Sequence, residues 1–176
     1  LVIPGYTSNP LNGQAQSVLK IRVKDTVSNV AGPVPHALGR LSLPDTTLAK
    51  TKRYFELNSV RATAEAAVLG PFVINRQAFN ISRIDFEATV GEWELWTIFN
   101  HSGISHPFHV HNTQFRMVSS DTGPVPSEEL GRKDVINILS GETIKFLVRF
   151  DHFTNDSVPY MYHCHMLTHE DEGMMG

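Results

Sequence analysis

Six of the nine histidines of this 176-residue chain fall in two short segments. His106 to His111 reads HPFHVH. Tyr160 to Met174 reads YMYHCHMLTHEDEGM and holds the only cysteine, Cys164, between His163 and His165. His169 and Met174 follow. Imidazole, thiolate and thioether are metal ligands, and their softness bears on which metal they suit. One thiolate, two imidazoles and a weak axial thioether form the blue-copper electron-transfer set. Cys164, His106, His169 and Met174 would supply it. Zinc also binds Cys and His, but structural zinc sites use paired cysteine or Cys/His spacings that a single cysteine cannot provide.

The neighbours of Cys164 add a second feature. In extended backbone, alternate side chains point to opposite faces. Cys164 then faces one way and His163 and His165 the other, while His109 and His111 oppose Val110. One set would bind an electron-accepting copper. The other would reach a second metal centre, wired to the first through the backbone of Cys164.

HPFHVH together with HCHMLTHEDEGMM resembles the C-terminal cupredoxin domain of the multicopper oxidases, the laccase-like family. The bacterial cuprous oxidases and spore-coat laccases are the most similar members. INRQAF (Ile74 to Phe79), TQFRMV (Thr113 to Val118) and GRKDVINI (Gly131 to Ile138) fit as well, so the resemblance covers about Thr51 to Gly176. It implies an all-β fold, a cupredoxin-like Greek-key β-sandwich. It implies that His106, Cys164, His169 and Met174 are type 1 copper ligands, His109 a type 2 ligand, and His111, His163 and His165 ligands of binuclear type 3 copper. A reducing substrate, phenol-like or a metal ion, would then give up one electron at a time at the type 1 copper. Dioxygen would be reduced to water at the trinuclear cluster. Cys164 would carry the electrons, and the exposed edge of His106 or His169 would receive them.

Glu170 resembles the acidic residue that delivers protons in this family; the plainer reading is a solvated carboxylate in the run Glu170 to Glu172. Asp134 is a weaker candidate for orienting a bound imidazole. The family's trinuclear cluster takes eight histidines in four HxH pairs, and this chain holds only His109, His111, His163 and His165. The resemblance therefore implies N-terminal cupredoxin domains as partners, from the same precursor or another subunit. Small-molecule reductant and dioxygen are the other partners. No methionine-rich insert is present, so a phenol or other small aromatic donor fits at least as well as cuprous ion. The resemblance also points to a periplasmic, extracellular or spore or cell-surface location. The rivals are a type 1 electron-transfer module, a non-catalytic cupredoxin scaffold and a copper nitrite reductase. The complete ligand set and the second histidine of HCH favour the oxidase.

The elements that must position these residues are strands. Ser17 to Lys24 alternates, with Leu19, Ile21 and Val23 on one face. Lys52 to Val60, Phe72 to Asn75, Val90 to Asn100, Gly131 to Leu139 and Glu142 to Phe150 read as further strands. Trp93, Leu95 and Phe99 share a face of the third of these. Thr63 to Val68 is a candidate helical turn. Phe115, Met117 and Val110 are core candidates, as are Ile144, Phe146, Val148 and Phe150. His36, His101 and His152 read as surface histidines. Three N-x-S triplets, at Asn80, Asn100 and Asn155, match the glycosylation acceptor pattern. The expected organisation is 1–25 as the last strand of a preceding cupredoxin domain, 26–50 as linker and 51–176 as the copper-binding domain. The ends, LVIPGYT and EGMMG, read as cuts in a longer polypeptide.

Composition excludes other classes. A net charge of −3 and a pI near 6.3 give no basis for binding nucleic acid or an anionic membrane. No apolar run is long enough to span a bilayer. One cysteine allows no internal disulfide.

Overall fold

A computed structural model describes residues 2–3, 16–17, 19–20, 22, 32–33, 42–60, 71–155 and 157–176. The chain divides into two compact units, Leu1–Leu38 and Gly39–Gly176. In the first, β1 (Val2–Ile3) pairs antiparallel with β2 (Gln16–Ser17). Of the strand expected over Ser17 to Lys24, only Ser17 lies in β2; Leu19, Lys20 and Arg22 lie outside any strand, and the rest falls outside the described residues. So do His36 and the helical turn expected at Thr63 to Val68.

The second unit carries β3 (Ala49–Ser59), β4 (Phe72–Ile74), β5 (Trp93–Asn100), β6 (His106–Val110), β7 (Phe115–Ser120), β8 (Arg132–Lys133), β9 (Val135–Ile138), β10 (Thr143–Arg149) and β11 (Tyr162–Cys164). A five-residue helix, α1 (Leu167–Asp171), follows. Six strands form one sheet in the order β4-β3-β5-β10-β7-β8, and three form a second, β11-β6-β9. The pair β3 and β5 is parallel and its neighbours are antiparallel. The stretch expected as one strand over Gly131 to Leu139 is two, broken at Asp134. Its halves join different sheets, β8 beside β7 and β9 beside β6.

One core ties the sheets together. Phe55, Trp96, Ile98, Phe115, Met117, Ile144, Phe146 and Val148 from the large sheet cluster with Phe108, Val110, Ile136, Ile138, Tyr162 and Cys164 from the small one. This is the alternating inward face of a two-sheet sandwich. On β5 the buried residues are Glu94, Trp96, Ile98 and Asn100, not the face of Trp93, Leu95 and Phe99. Glu94 is tolerated there because Arg53 grips both its oxygens at 2.6 and 2.8 Å and Trp96 Nε1–H donates to it at 2.8 Å. A buried carboxylate needs that satisfaction. Among the described residues, no helix is long and apolar enough to cross a membrane.

Phe146 is fully buried and stacks on Phe115 with ring centroids 4.2 Å apart. Phe146→Ala should therefore cost about 3–5 kcal/mol of unfolding free energy, measured by urea denaturation. A cost below about 1 kcal/mol would show that this part of the core is not packed as described.

Candidate metal centre

The site is built on the pairing of β6 with β11. Cys164 lies opposite Phe108, His163 opposite His109 and Tyr162 opposite Val110. The pleat sends His106, Phe108, Val110, Tyr162 and Cys164 to the core side, where all are buried. His109 and His163 project from the other face, as the period of two requires. After β11 the chain turns into α1, which returns His169 to the core. Gly173 (φ 102°) then reverses the chain, and Phe79 N–H donates to its carbonyl at 3.0 Å. A Cβ there would meet Phe79 backbone nitrogen at 3.2 Å. Met174 follows, fully buried; its N–H donates to His169 carbonyl at 2.9 Å and its carbonyl accepts from Cys164 N–H at 3.1 Å.

On the core side, three ligand atoms converge. His106 Nδ1 and His169 Nδ1 lie 3.2 Å apart, and Cys164 Sγ lies 3.5 Å from the first and 3.6 Å from the second. A point equidistant from all three is about 2 Å from each, a metal–ligand bond length. All three residues are buried. Burial pushes the Cys164 thiol up to about 12. Burial first, and the neighbouring His169 second, lower His106 from 6.5 to about 3. Burial lowers His169 as well. Two neutral imidazoles and a thiol that a metal must deprotonate suit a thiolate-preferring ion.

On the opposite face, His109, His111 and His163 form a second group. His111 Nε2 and His163 Nε2 are 3.0 Å apart. His109 Nδ1 lies 2.8 Å from Asp134 carbonyl, so its proton is held there and Nε2 is left bare. His163 Nδ1 is 3.0 Å from Cys164 carbonyl and 3.3 Å from Glu170 Oε2. Desolvation first, then the charges of His163 and His109, keep His111 below its ordinary range. These are orienting contacts of the kind that metal-bound imidazoles use.

His165 follows the end of β11 and is exposed, and its ring stands beside the second group, 5.5 Å from that of His109 and 5.7 Å from that of His163. The structure revises other expectations. Neither His106 nor His169 offers an exposed edge: they are 0% and 2% exposed, with the Phe72 ring against both. Asp134 contacts His109 through its carbonyl, not its carboxylate. Asn100 is fully buried, which rules out its glycosylation in the folded chain. His101 and His152 are exposed, as expected. Sequence reasoning missed Phe72, Asn100 and Ser102 at the site. The last sits one helical turn's spacing before His106, a polar residue in a glycine-containing turn, and that was its only signal.

The metal-free protein should lose stability on acidification. The folded pKa of His106 lies below its unfolded value, so the unfolded chain binds the extra proton. Stability is whole above about pH 6.5 and falls as pH drops toward about 3. Urea midpoints should therefore fall between about pH 7 and about pH 4.5, and fall less in H106L. Equal losses in both proteins would contradict the assignment.

The multicopper oxidase family model matches residues 46–176. A multicopper oxidase of Staphylococcus aureus is 46% identical over 108 residues, covering 58% of this chain and 23% of that protein. A laccase of Bacillus subtilis is 34% identical over 104 residues, covering 49% of this chain and 20% of that protein. Among solved structures, a laccase-like multicopper oxidase from Ochrobactrum superposes with a TM-score of 0.67 at 30% identity, over 94% of this chain and 37% of that one. The present chain thus spans under a quarter of the Staphylococcus relative. The sandwich described above is the cupredoxin fold of these oxidases, and the matched region holds both histidine groups, so the chain belongs to the multicopper oxidase family.

Proposed function

We propose that this chain is the C-terminal part of an oxidase that takes electrons singly from a small reducing substrate and reduces dioxygen to water. The observation that carries this reading is the placement of two separate ligand groups on either side of one dipeptide, His163-Cys164. Cys164 joins His106 and His169 on the core side, and His163 joins His109 and His111 on the other. Copper, when bound, would supply one-electron redox chemistry at the first group and dioxygen reduction at the second. His106, Cys164 and His169 would hold type 1 copper, with the Met174 thioether as a fourth, weaker ligand. His109 would hold type 2 copper, and His111, His163 and His165 would hold the type 3 pair.

The chain's own residues serve this chemistry in three ways. Phe72 and the surrounding core exclude water from the thiolate group. The His163 Nδ1 contact with Cys164 carbonyl at 3.0 Å, with the peptide bond between them, couples the two groups. Glu170 stands 3.3 Å from His163 Nδ1 with its side chain 28% exposed. That is where a carboxylate could move protons between solvent and the imidazole group.

The donor must deliver its electron through the packing around His169, because the ring itself is buried. The donor is a phenol-like molecule or a metal ion; the Ochrobactrum relative has oxidase activity towards lignin model compounds, and a Campylobacter jejuni relative is a metallo-oxidase. The remaining imidazoles of the second group would come from an N-terminal cupredoxin domain, in keeping with the small share of each relative that this chain spans. We assign 1–25 to that preceding region, 26–50 to the linker and 51–176 to the copper-binding domain.

The test uses the complete copper-loaded protein with a phenol donor. Cys164→Ser should abolish the blue thiolate band and donor oxidation while copper remains on the imidazole group. Glu170→Gln should keep the band and the copper content and lower dioxygen uptake by about 10²-fold or more. A wild-type protein that binds copper with no thiolate band would overturn the reading. Unchanged uptake in Glu170→Gln would remove Glu170 from proton delivery.

A further inference from the structure

His106 is held by a hydrogen-bond chain that runs away from the thiolate group. Its Nε2 lies 2.6 Å from Ser102 Oγ. Ser102 Oγ lies 2.7 Å from Asn100 Oδ1 and 3.0 Å from Ile104 carbonyl, and Ser102 N–H donates to Asn100 Oδ1 at 2.9 Å. Asn100 Nδ2 faces three carbonyls: Ile104 at 2.8 Å, Ile138 at 3.1 Å and Leu139 at 3.1 Å. His106, Ser102 and Asn100 are 0%, 2% and 0% exposed.

The orientation of the Asn100 carboxamide follows by elimination. Three carbonyl acceptors around one end of the Asn100 carboxamide require that end to be the NH₂ group. Its oxygen then faces Ser102 and can only accept. The Ser102 hydroxyl thus has two oxygen acceptors for its single proton, Asn100 Oδ1 at 2.7 Å and Ile104 carbonyl at 3.0 Å. With the proton on either of them, Ser102 presents a lone pair to His106, Nε2 carries the ring proton, and Nδ1, which faces Cys164 and His169, is bare.

We infer that Ser102 is a positioning residue: anchored by Asn100, it fixes His106 in the Nε2–H tautomer and aims bare Nδ1 at the metal before any metal arrives. The inference deepens the copper reading and rests on it for the metal's identity. His169 provides an internal contrast. Its Nε2 is buried with no hydrogen-bond partner among the described residues. Among the described residues, a side-chain hydrogen bond thus holds the far nitrogen of one imidazole and not that of the other.

Two measurements test this, and they fail separately from the copper reading. The first is a long-range proton–nitrogen NMR spectrum of the metal-free wild-type protein near neutral pH. His106 should show one tautomer, protonated at Nε2, with that proton protected from exchange. An Nδ1–H tautomer, or a mixture of the two, would overturn the inference whatever the protein binds. The second compares copper(II) affinity and the thiolate band in Ser102→Ala and Ser102→Thr. Ser102→Ala should keep the band and weaken binding by about 10–100-fold, with faster exchange of the His106 ring proton. Ser102→Thr, which keeps the hydroxyl, should restore affinity and slow exchange. Wild-type affinity and exchange in Ser102→Ala would overturn the positioning role. If no copper binds to any variant, the copper reading fails while the tautomer result still decides the Ser102 assignment.

Discussion

The structure depends on one costly arrangement: a thiol and two imidazoles crowded to within 3.6 Å of one another inside a dry core. Each group is pushed toward its neutral form by burial. Polar atoms without full compensation inside a core are destabilising. A sandwich of this size can carry such a cost only if its apolar packing is otherwise complete. The aromatic cluster around Trp96, Phe55, Phe108, Phe146 and Tyr162 supplies that packing. A metal that accepted the thiolate and both nitrogens would convert the cost into binding free energy.

The second constraint is the pleat. Because β6 and β11 pair with His163 opposite His109, the backbone itself acts as the wall between two ligand groups. Residues on one face enter the core, and those on the other form the second imidazole group, His109 and His111 half-buried and His163 buried. A one-residue slip in register would exchange the two sets of side chains. The terminal turn through Gly173 and the bonds from Met174 to His169 and Cys164 hold that register from the far side of β11. Fold and chemistry are therefore fixed by the same hydrogen bonds.

Much of this was legible in the residue pattern. The alternation in HPFHVH and YHCH separates the two groups, and β6 and β11 realise it. Core strands such as β10, with Ile144, Phe146 and Val148, carry an unambiguous period of two. What could not be read has physical causes. On β5 both faces hold large apolar residues, and the buried Glu94 disguises the inward one. Asp134 breaks one apparent strand so that its halves enter different sheets, which only long-range pairing determines. The burial of His106 and His169 comes from Phe72, a residue more than 30 positions before the first of them. The Asn100–Ser102 chain is assembled by carbonyls of β9 and its following turn, remote in sequence.

The most direct measurement of the central claim is X-ray absorption at the copper edge, on the protein loaded with copper at the thiolate group. The account predicts one short copper–sulfur distance and two copper–nitrogen distances from imidazole. A first shell of nitrogen and oxygen alone would mean that the buried group around Cys164 does not hold the copper, and would contradict the account.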